Sequence, residues 1–386
     1  MTYISKAPLI LSLSTLALAS CANAEAGDSA ETASAEVAMN IEPMGEFDRP
    51  WAIEFIPGSD TLAITEKAGT LKLMKTGTGE TTTVSGVPEV DYGGQGGFGD
   101  VAFLPSEANR EDGRTIYLSW AEAGANDTRG AAVGRGMLVC NDETDACAIN
   151  DLEVIWRQAD KVTGKGHYSH RISFSPDEKY MFIASGDRQK LEPAQDTTNT
   201  LGSIVRLNLD GAPAAGNPMA DQGGVTAEIW SYGHRNILGM DWDAQGRLWD
   251  MEHGPAGGDE LNLVKAGANY GWPTRSYGKH YNGDPITDHS ADDGFSKPAI
   301  HWTPVIAPGD MIFYTGDMFA AWKGDALIAG LSSQAIVRVT IDGEKATETG
   351  RYAFDGRLRS IDQAPDGSIW VAEDGPEGRI LKVSAQ

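Results

Sequence analysis

From residue 40 to the C-terminus, apolar positions come in short runs of four to eight residues, each broken by Gly, Pro, Asp or Asn. No stretch holds a long apolar period of 3.6, so the pattern predicts strands rather than helices. Six segments look alike; they open at Trp51, Val101, Ile172, Met240, Met318 and Ile361. Most read as a strand, a Pro/Asp/Gly turn, a second strand and a small or acidic tail. An imperfect all-β repeat of this kind predicts a six-bladed β-propeller over residues 40–386, with about 24 short strands at four per blade. The competing arrangement is a pair of β-sandwiches in which the likeness is accidental. The stretches 123–166 and 188–238 are too long for plain turns and are expected to lie on one face and build a site.

The N-terminus has a different pattern. Lys6 precedes an apolar run from Leu9 to Leu18, too short to span a bilayer, and residues 1–21 read as a signal peptide. The run ends in Leu18-Ala19-Ser20-Cys21, which resembles a bacterial lipobox, so Cys21 is expected to carry a lipid. Ordinary cleavage after Ala22 or Ala24, with Cys21 incidental, is the alternative. Residues 22–39 are small, polar and acidic and read as a flexible tether. The expected location is periplasmic or exported, with a lipid anchor to the bacterial envelope. Cys140 and Cys147 flank a polar turn between two strand-like runs. A disulfide across that hairpin fits an oxidising compartment better than a zinc half-site, which would need a second Cys/His pair.

Composition narrows the picture further. Of 386 residues, 41% are hydrophobic and 22% charged, as in an ordinary folded chain. The formal net charge of −24 argues against nucleic acid as a partner, because phosphate binding needs clustered Lys and Arg. The 46 glycines match the turn demand of many short strands and also leave room for backbone to approach a ligand.

Four segments carry candidate chemistry. Four glycines surround Gln95 in the run from Tyr92 to Phe98, offering close backbone approach with one amide; the bland reading is a Gly-rich hairpin loop. His167 and His170 stand just before a strand-like run, where a loop imidazole is a candidate general base, although a lone His is more often structural. From Glu228 a strand runs into a glycine turn that presents His234, Arg235 and Asn236. A fixed cation beside an amide suits an anionic ligand or a developing oxyanion, against the plain alternative of a surface arginine. Glu252, Asp259, Glu260 and Asn262 gather oxygen donors around glycine turns. Such donors suit calcium rather than zinc, without EF-hand spacing; a solvated acidic loop is the alternative.

Taken in order, EIWSYGHRN, EHGPAGGDELNLVKAGANYGWP, SYGKHYNG, GGQGGFGDVAFLP and RLRSIDQAPDGSIWVAEDGPEGRILKV resemble the soluble pyrroloquinoline quinone (PQQ)-dependent aldose sugar dehydrogenases, related to soluble glucose dehydrogenase and the sorbosone dehydrogenases. The resemblance covers roughly residues 40–386 and implies a six-bladed propeller. It also implies that His167 is the catalytic base, in a motif usually written His-x-Gly-Gly-Arg. Gln95 then lies at the cofactor and substrate site, Arg235 and Asn236 on the quinone, and Asp187 near the active site. Arg357 and Arg359 would bind cofactor carboxylates and Tyr281 would touch the cofactor. The carbonyls of Gly254 and Pro255 would hold the cofactor's calcium, with Glu260 and Tyr270 at a further calcium position. The implied reaction takes a proton from an aldose anomeric hydroxyl and a hydride to the quinone, with Arg235 and calcium stabilising the developing charge, and yields a lactone. The electron acceptor, a quinone or small cytochrome, and the particular aldose are left open.

Three departures from the family pattern stand out. Ser169-His170 replaces the usual Gly-Gly, which would narrow the sugar entrance or let His170 compete as base. Residues 329–334 lack a lysine that soluble glucose dehydrogenase has near its cofactor. The stretch after Asn236 reads Ile-Leu-Gly rather than Pro-Gln-Gly. Two other functions fit the same fold: a calcium-dependent lactonase, which would need carboxylates from several blades on one axial calcium, and a non-catalytic binding propeller.

Overall fold

The side chain that opens a turn also closes it. In the turn after Trp242, Asp243 Oδ1 accepts the N–H groups of Gln245 and Arg247, both at 3.0 Å. In the corresponding turn near the C-terminus, Asp366 Oδ1 accepts the Ser368 N–H at 2.8 Å. These Asx turns fix short reversals between apolar runs, and an all-β chain follows. They are seen in a computed structural model of the chain, which describes residues 38–141 and 143–386. The expected signal peptide, the Cys21 anchor and the tether up to residue 37 lie outside the described residues. Strand β1 (Met39–Phe47) begins one residue inside the stretch read as tether.

The strands then run in meanders. The first is β2 (Pro50–Phe55), β3 (Thr61–Glu66), β4 (Thr70–Lys75) and β5 (Thr81–Ser85). The second is β6 (Phe98–Phe103), β7 (Arg114–Ala123), β8 (Arg129–Asn141) and β9 (Ala146–Arg157). Next come β10 (Ser169–Phe174), β11 (Tyr180–Ser185), β12 (Ser203–Asn208) and β13 (Ile229–Tyr232), then β14 (Ile237–Trp242), β15 (Leu248–Glu252), β16 (Asp259–Leu263) and β17 (Ile300–Trp302). The last are β18 (Pro308–Phe313), β19 (Ala326–Gly330), β20 (Ala335–Asp342) and β21 (Lys345–Ala353), followed by β22 (Leu358–Gln363), β23 (Ile369–Glu373) and β24 (Gly378–Ala385). Consecutive strands within a meander pair antiparallel. A short parallel contact, Val84 with Cys147 and Ser85 with Ala148, joins the first two meanders into one eight-stranded sheet. The other sheets have four strands each, and the last is completed by β1 on the outer side of β24.

The strands β2, β6, β10, β14, β18 and β22 pack side by side in that order, and β22 returns to β2. Apolar clusters fill the gaps between neighbouring meanders. One holds Trp51, Phe98, Leu118 and Trp120; another holds Trp249, Trp302 and Phe313. Carboxylates tie this inner ring together. Asp100 Oδ2 accepts the Ile172 N–H at 2.8 Å, Asp241 Oδ2 that of Phe313 at 2.6 Å, and Asp362 Oδ2 that of Phe55 at 2.7 Å. Among the described residues no helix is long and apolar enough to cross a membrane.

Three sequence expectations need adjusting. The segment from Met318 opens on a 3₁₀ turn, Ala320–Trp322, not a strand; its strand partner is β18, so this repeat is displaced by one strand. The stretch 123–166 is largely the hairpin of β8 and β9, and 188–238 contains β12 and β13, so neither is a plain site-building loop. The long irregular connection is instead 264–299, between β16 and β17. The Cys140–Cys147 disulfide closes the β8–β9 hairpin as expected, with the Cα atoms 4.1 Å apart.

Candidate active site

Near the start of the inner strands lies a cavity of about 300 Å³, lined among others by Lys67, Gln95, Asn236, His253, Arg357 and Arg359. Its volume falls at the low end of the roughly 300–1,000 Å³ of small-molecule sites. A larger cavity of about 520 Å³ lies further along the same strands and holds Glu54, Asp100, Asp241, Asp310 and Asp362. Asp100, Asp241 and Asp362 there are the acceptors that tie neighbouring strands together, so they do not converge freely on an axial calcium as a lactonase would need.

His167 sits in the loop before β10 with φ +46°. Its Nδ1 lies 2.6 Å from Asp187 Oδ1, and both side chains are buried. Asp187 is itself held: Oδ2 accepts the Trp272 indole N–H at 2.7 Å and Oδ1 the Gln189 N–H at 2.8 Å. With both Asp187 oxygens accepting, the His167 proton belongs on Nδ1, which leaves the Nε2 lone pair free. Burial pushes the His167 pKa below its ordinary value, only partly opposed by the Asp187 hydrogen bond, so the ring is neutral at pH 7. The Gln95 Oε1 accepts the His167 backbone N–H at 2.7 Å and so seats the base. The glycine next to it is required: at Gly94 φ is +58°, and a Cβ would lie 2.6 Å from the Lys165 carbonyl.

The replacement of Gly-Gly by Ser169-His170 is accommodated in left-handed backbone, with φ +57° and +54°. Ser169 Oγ turns to β14 and accepts the Ile237 N–H at 2.9 Å. The His170 ring stacks on Trp51 at 4.9 Å, and its Nδ1 meets Ser119 Oγ at 2.8 Å. Burial and Arg171 drive its pKa down to about 3. His170 is a neutral, packed ring in the cavity wall rather than a second base.

Arg235 and Asn236 follow the Gly233 turn where the sequence placed them. Arg235 is 5% exposed and donates from Nη1 to the His253 carbonyl at 3.0 Å and from Nη2 to the Tyr281 hydroxyl at 3.2 Å. Its Nε is buried with no partner among the described residues. Glu252 Oε2 accepts the Arg235 backbone N–H at 2.6 Å, and Glu252 belongs to a buried set with His234 and Asp250. Tyr281 is 74% exposed. From the last sheet, Arg357 Nε and Arg359 Nε reach one carboxylate, Asp374, at 3.1 and 3.3 Å. Burial would raise the Asp374 pKa, but Arg359 and Arg357 outweigh it and hold it low.

The oxygen cluster divides. Asp259 spends Oδ1 on the Gly254 N–H at 2.9 Å and Oδ2 on the Ala307 N–H at 2.7 Å, which makes it a turn lock rather than a ligand. The Tyr270 hydroxyl donates to the Leu263 carbonyl at 2.6 Å while its ring stacks on His234 at 4.4 Å, leaving only its backbone carbonyl for a cation. Gly254, Glu260 and Tyr270 line one cleft with Arg235, and His253 lines both this cleft and the main cavity. The carbonyls of Gly254 and Pro255 accept no hydrogen bond among the described residues. These free carbonyls and buried carboxylates fit a hard cation. The orphaned Arg235 Nε and the excess of cations over carboxylates in the cavity fit a polycarboxylate.

The structure thus brings Gln95, Asn236, Arg357 and Arg359 to one cavity. His167 is tied to it through Gln95, and Asp187 through His167. Arg235, Gly254, Glu260 and Tyr270 line the adjoining cleft, and Tyr281 reaches Arg235 from outside. Lys67, Trp272 and Asp374 were not singled out from sequence. Lys67 sits in a Lys-Ala-Gly turn that reads as surface. Trp272, within the quoted Tyr-Gly-Trp-Pro, carried the clearest unused signal.

Residues 47–382 match the glucose/sorbosone dehydrogenase family. The chain is 36% identical over 356 residues to the aldose sugar dehydrogenase YliI of Escherichia coli K12, spanning 91% of this chain and 94% of that protein. It is 25% identical over 420 residues to quinoprotein glucose dehydrogenase B of Acinetobacter calcoaceticus, spanning 88% and 86%. The crystal structure of the E. coli soluble aldose sugar dehydrogenase in its apo form superposes with a TM-score of 0.84 at 36% identity, covering 90% of this chain and all of that one.

Proposed function

The chain belongs to the glucose/sorbosone dehydrogenase family, and on that premise we propose that it oxidises the anomeric hydroxyl of an aldose to the lactone, with PQQ and calcium as cofactors. The observation that carries the reading is a neutral imidazole tied to a buried carboxylate and bound through its backbone to Gln95, which lines a cavity that also holds clustered arginines. We read the six meanders around the inner ring as the blades of a six-bladed propeller, with the cavity among the loops at one end of the inner strands.

His167 takes the proton of the sugar hydroxyl on Nε2. Asp187 holds the ring in the Nδ1–H tautomer and stabilises the imidazolium that forms. Arg235, whose Nε is unpartnered, would supply its guanidinium charge to stabilise the oxygen on which charge develops. Arg357 and Arg359 would hold the cofactor carboxylates, with Asn236, Gln95 and Tyr281 as further cofactor contacts. The carbonyls of Gly254 and Pro255 would hold calcium, with Glu260 and the Tyr270 carbonyl at a second position. When bound, PQQ supplies the two-electron acceptor. A quinone or small cytochrome is the eventual electron acceptor. Residues 1–21 direct export, and Cys21 anchors the protein to the envelope. The expected outcome for the protein loaded with PQQ and Ca²⁺ is a lactone as first product from an aldose, and loss of turnover on chelation that added Ca²⁺ restores. Turnover that survives complete calcium removal would remove calcium from the account.

A further inference from the structure

Lys67 stands in the turn between β3 and β4 and lines the cavity with Arg357 and Arg359. Its ammonium donates to the Gly94 carbonyl at 3.1 Å, in the loop that carries Gln95. No ion pair includes it among the described residues. The carboxylate that lines the cavity, Asp374, is shared by Arg357 and Arg359, at 3.1 and 3.3 Å. Three cations from two distant parts of the chain therefore face a single carboxylate. Burial depresses the Lys67 pKa, and the charge of Arg359 depresses it further, with Asp374 opposing. An ammonium kept among like charges, with one neutral oxygen as its only partner, is electrostatically incomplete.

We propose that Lys67 is a third carboxylate-binding cation of the cavity, brought in from the β3–β4 turn to face the arginines of the last sheet. The proposal rests on the reading of the cavity as a PQQ site. A compact ammonium with three rotatable donors supplements the two rigid guanidinium forks, because it can meet a carboxylate edge that neither fork reaches. Its bond to Gly94 then couples ligand binding to the loop that seats His167 through Gln95.

The test is equilibrium binding to the metal-loaded apo protein, followed by quenching of tryptophan fluorescence, with no turnover involved. Wild type, Lys67→Met and Lys67→Arg are compared with PQQ and with its uncharged trimethyl ester. The expected result is PQQ binding weakened about tenfold or more in Lys67→Met, equivalent to roughly 1.4 kcal/mol. Lys67→Arg should stay within about threefold of wild type, and the triester should not distinguish wild type from Lys67→Met. Equal PQQ affinity in wild type and Lys67→Met overturns the proposal. So does an equal loss for PQQ and triester, which would make Lys67 a prop for the Gln95 loop. Wild type that binds no PQQ overturns the cofactor reading itself and this proposal with it.

Discussion

At the scale of single residues, His167 owes its basicity to the carboxylate on its far nitrogen. Burial lowers its pKa and Asp187 partly restores it. The ring is neutral from below its ordinary pKa upward, the form that the proposed base needs. The acid limb of kcat/KM is therefore expected below about pH 6.5, the unperturbed imidazole value. Asp187→Asn removes the charge that raises the pKa, so that limb should move to still lower pH. The maximal rate should fall by about 10²-fold or more as the tautomer preference is lost. A pH–rate profile of the variant reads both effects, and an upward shift of the limb would contradict the sign. His167 and Arg235 stood out in the sequence as candidates because each sits in a short motif beside a glycine, whereas Arg357 and Arg359 came only from the family resemblance. His170 looked as good a base as His167 in the sequence. Only packing separates them, since one ring faces a carboxylate and the other lies flat on Trp51 with its pKa near 3. Asp374 and Lys67 were not legible, because nothing local to either residue reports that the last sheet closes against the first.

At the scale of elements, the turns and hairpins followed from apolar runs and Asx chemistry. The ties between strands of different sheets did not. Asp310 on β18 accepts the Ser360 hydroxyl of β22 at 2.6 Å and lies 3.2 Å from Arg171. Burial raises its pKa to about 6, opposed by Arg171. A carboxyl whose folded pKa is raised binds its proton better in the folded state. Its contribution is thus complete below the unfolded value near 3.9 and is lost as pH rises through about 6. Asp310→Asn mimics the protonated form. The stability of wild type relative to this variant should therefore fall between pH 5 and pH 8, by on the order of 1 kcal/mol. Denaturant melts at the two pH values measure it; a difference that grows with pH would show that the ionised form is the stabilising one. The displaced repeat at Met318 was misread for a physical reason: the 3₁₀ turn Ala320–Trp322 buries Trp322 as a strand residue would, so its apolar run mimics a strand.

At the scale of the whole molecule, the last sheet is completed by the pairing of β1 with β24, which joins residues 39–47 to 378–385. The sequence showed the last repeat but not that its fourth strand comes from the N-terminus, because no local signal marks a pairing across the length of the chain. Deleting residues through Phe47 should lower stability by more than about 2 kcal/mol, the burial of one large apolar side chain, and leave β24 as an open edge. A thermal melt of the truncated chain that matched wild type would contradict the pairing. The net charge of −24 first argued only against nucleic acid. The cavity reverses that sign locally, with Lys67, Arg357 and Arg359 facing Asp374. The most direct test of the account is titration of apo protein, in the presence of Ca²⁺, with PQQ while dye-linked aldose oxidation is followed in wild type and in His167→Gln. The account predicts no wild-type activity without PQQ and activity that saturates at one equivalent. His167→Gln should bind PQQ equally well and turn over about 10²–10⁴-fold more slowly. Activity independent of PQQ, or full turnover in the variant, would contradict it.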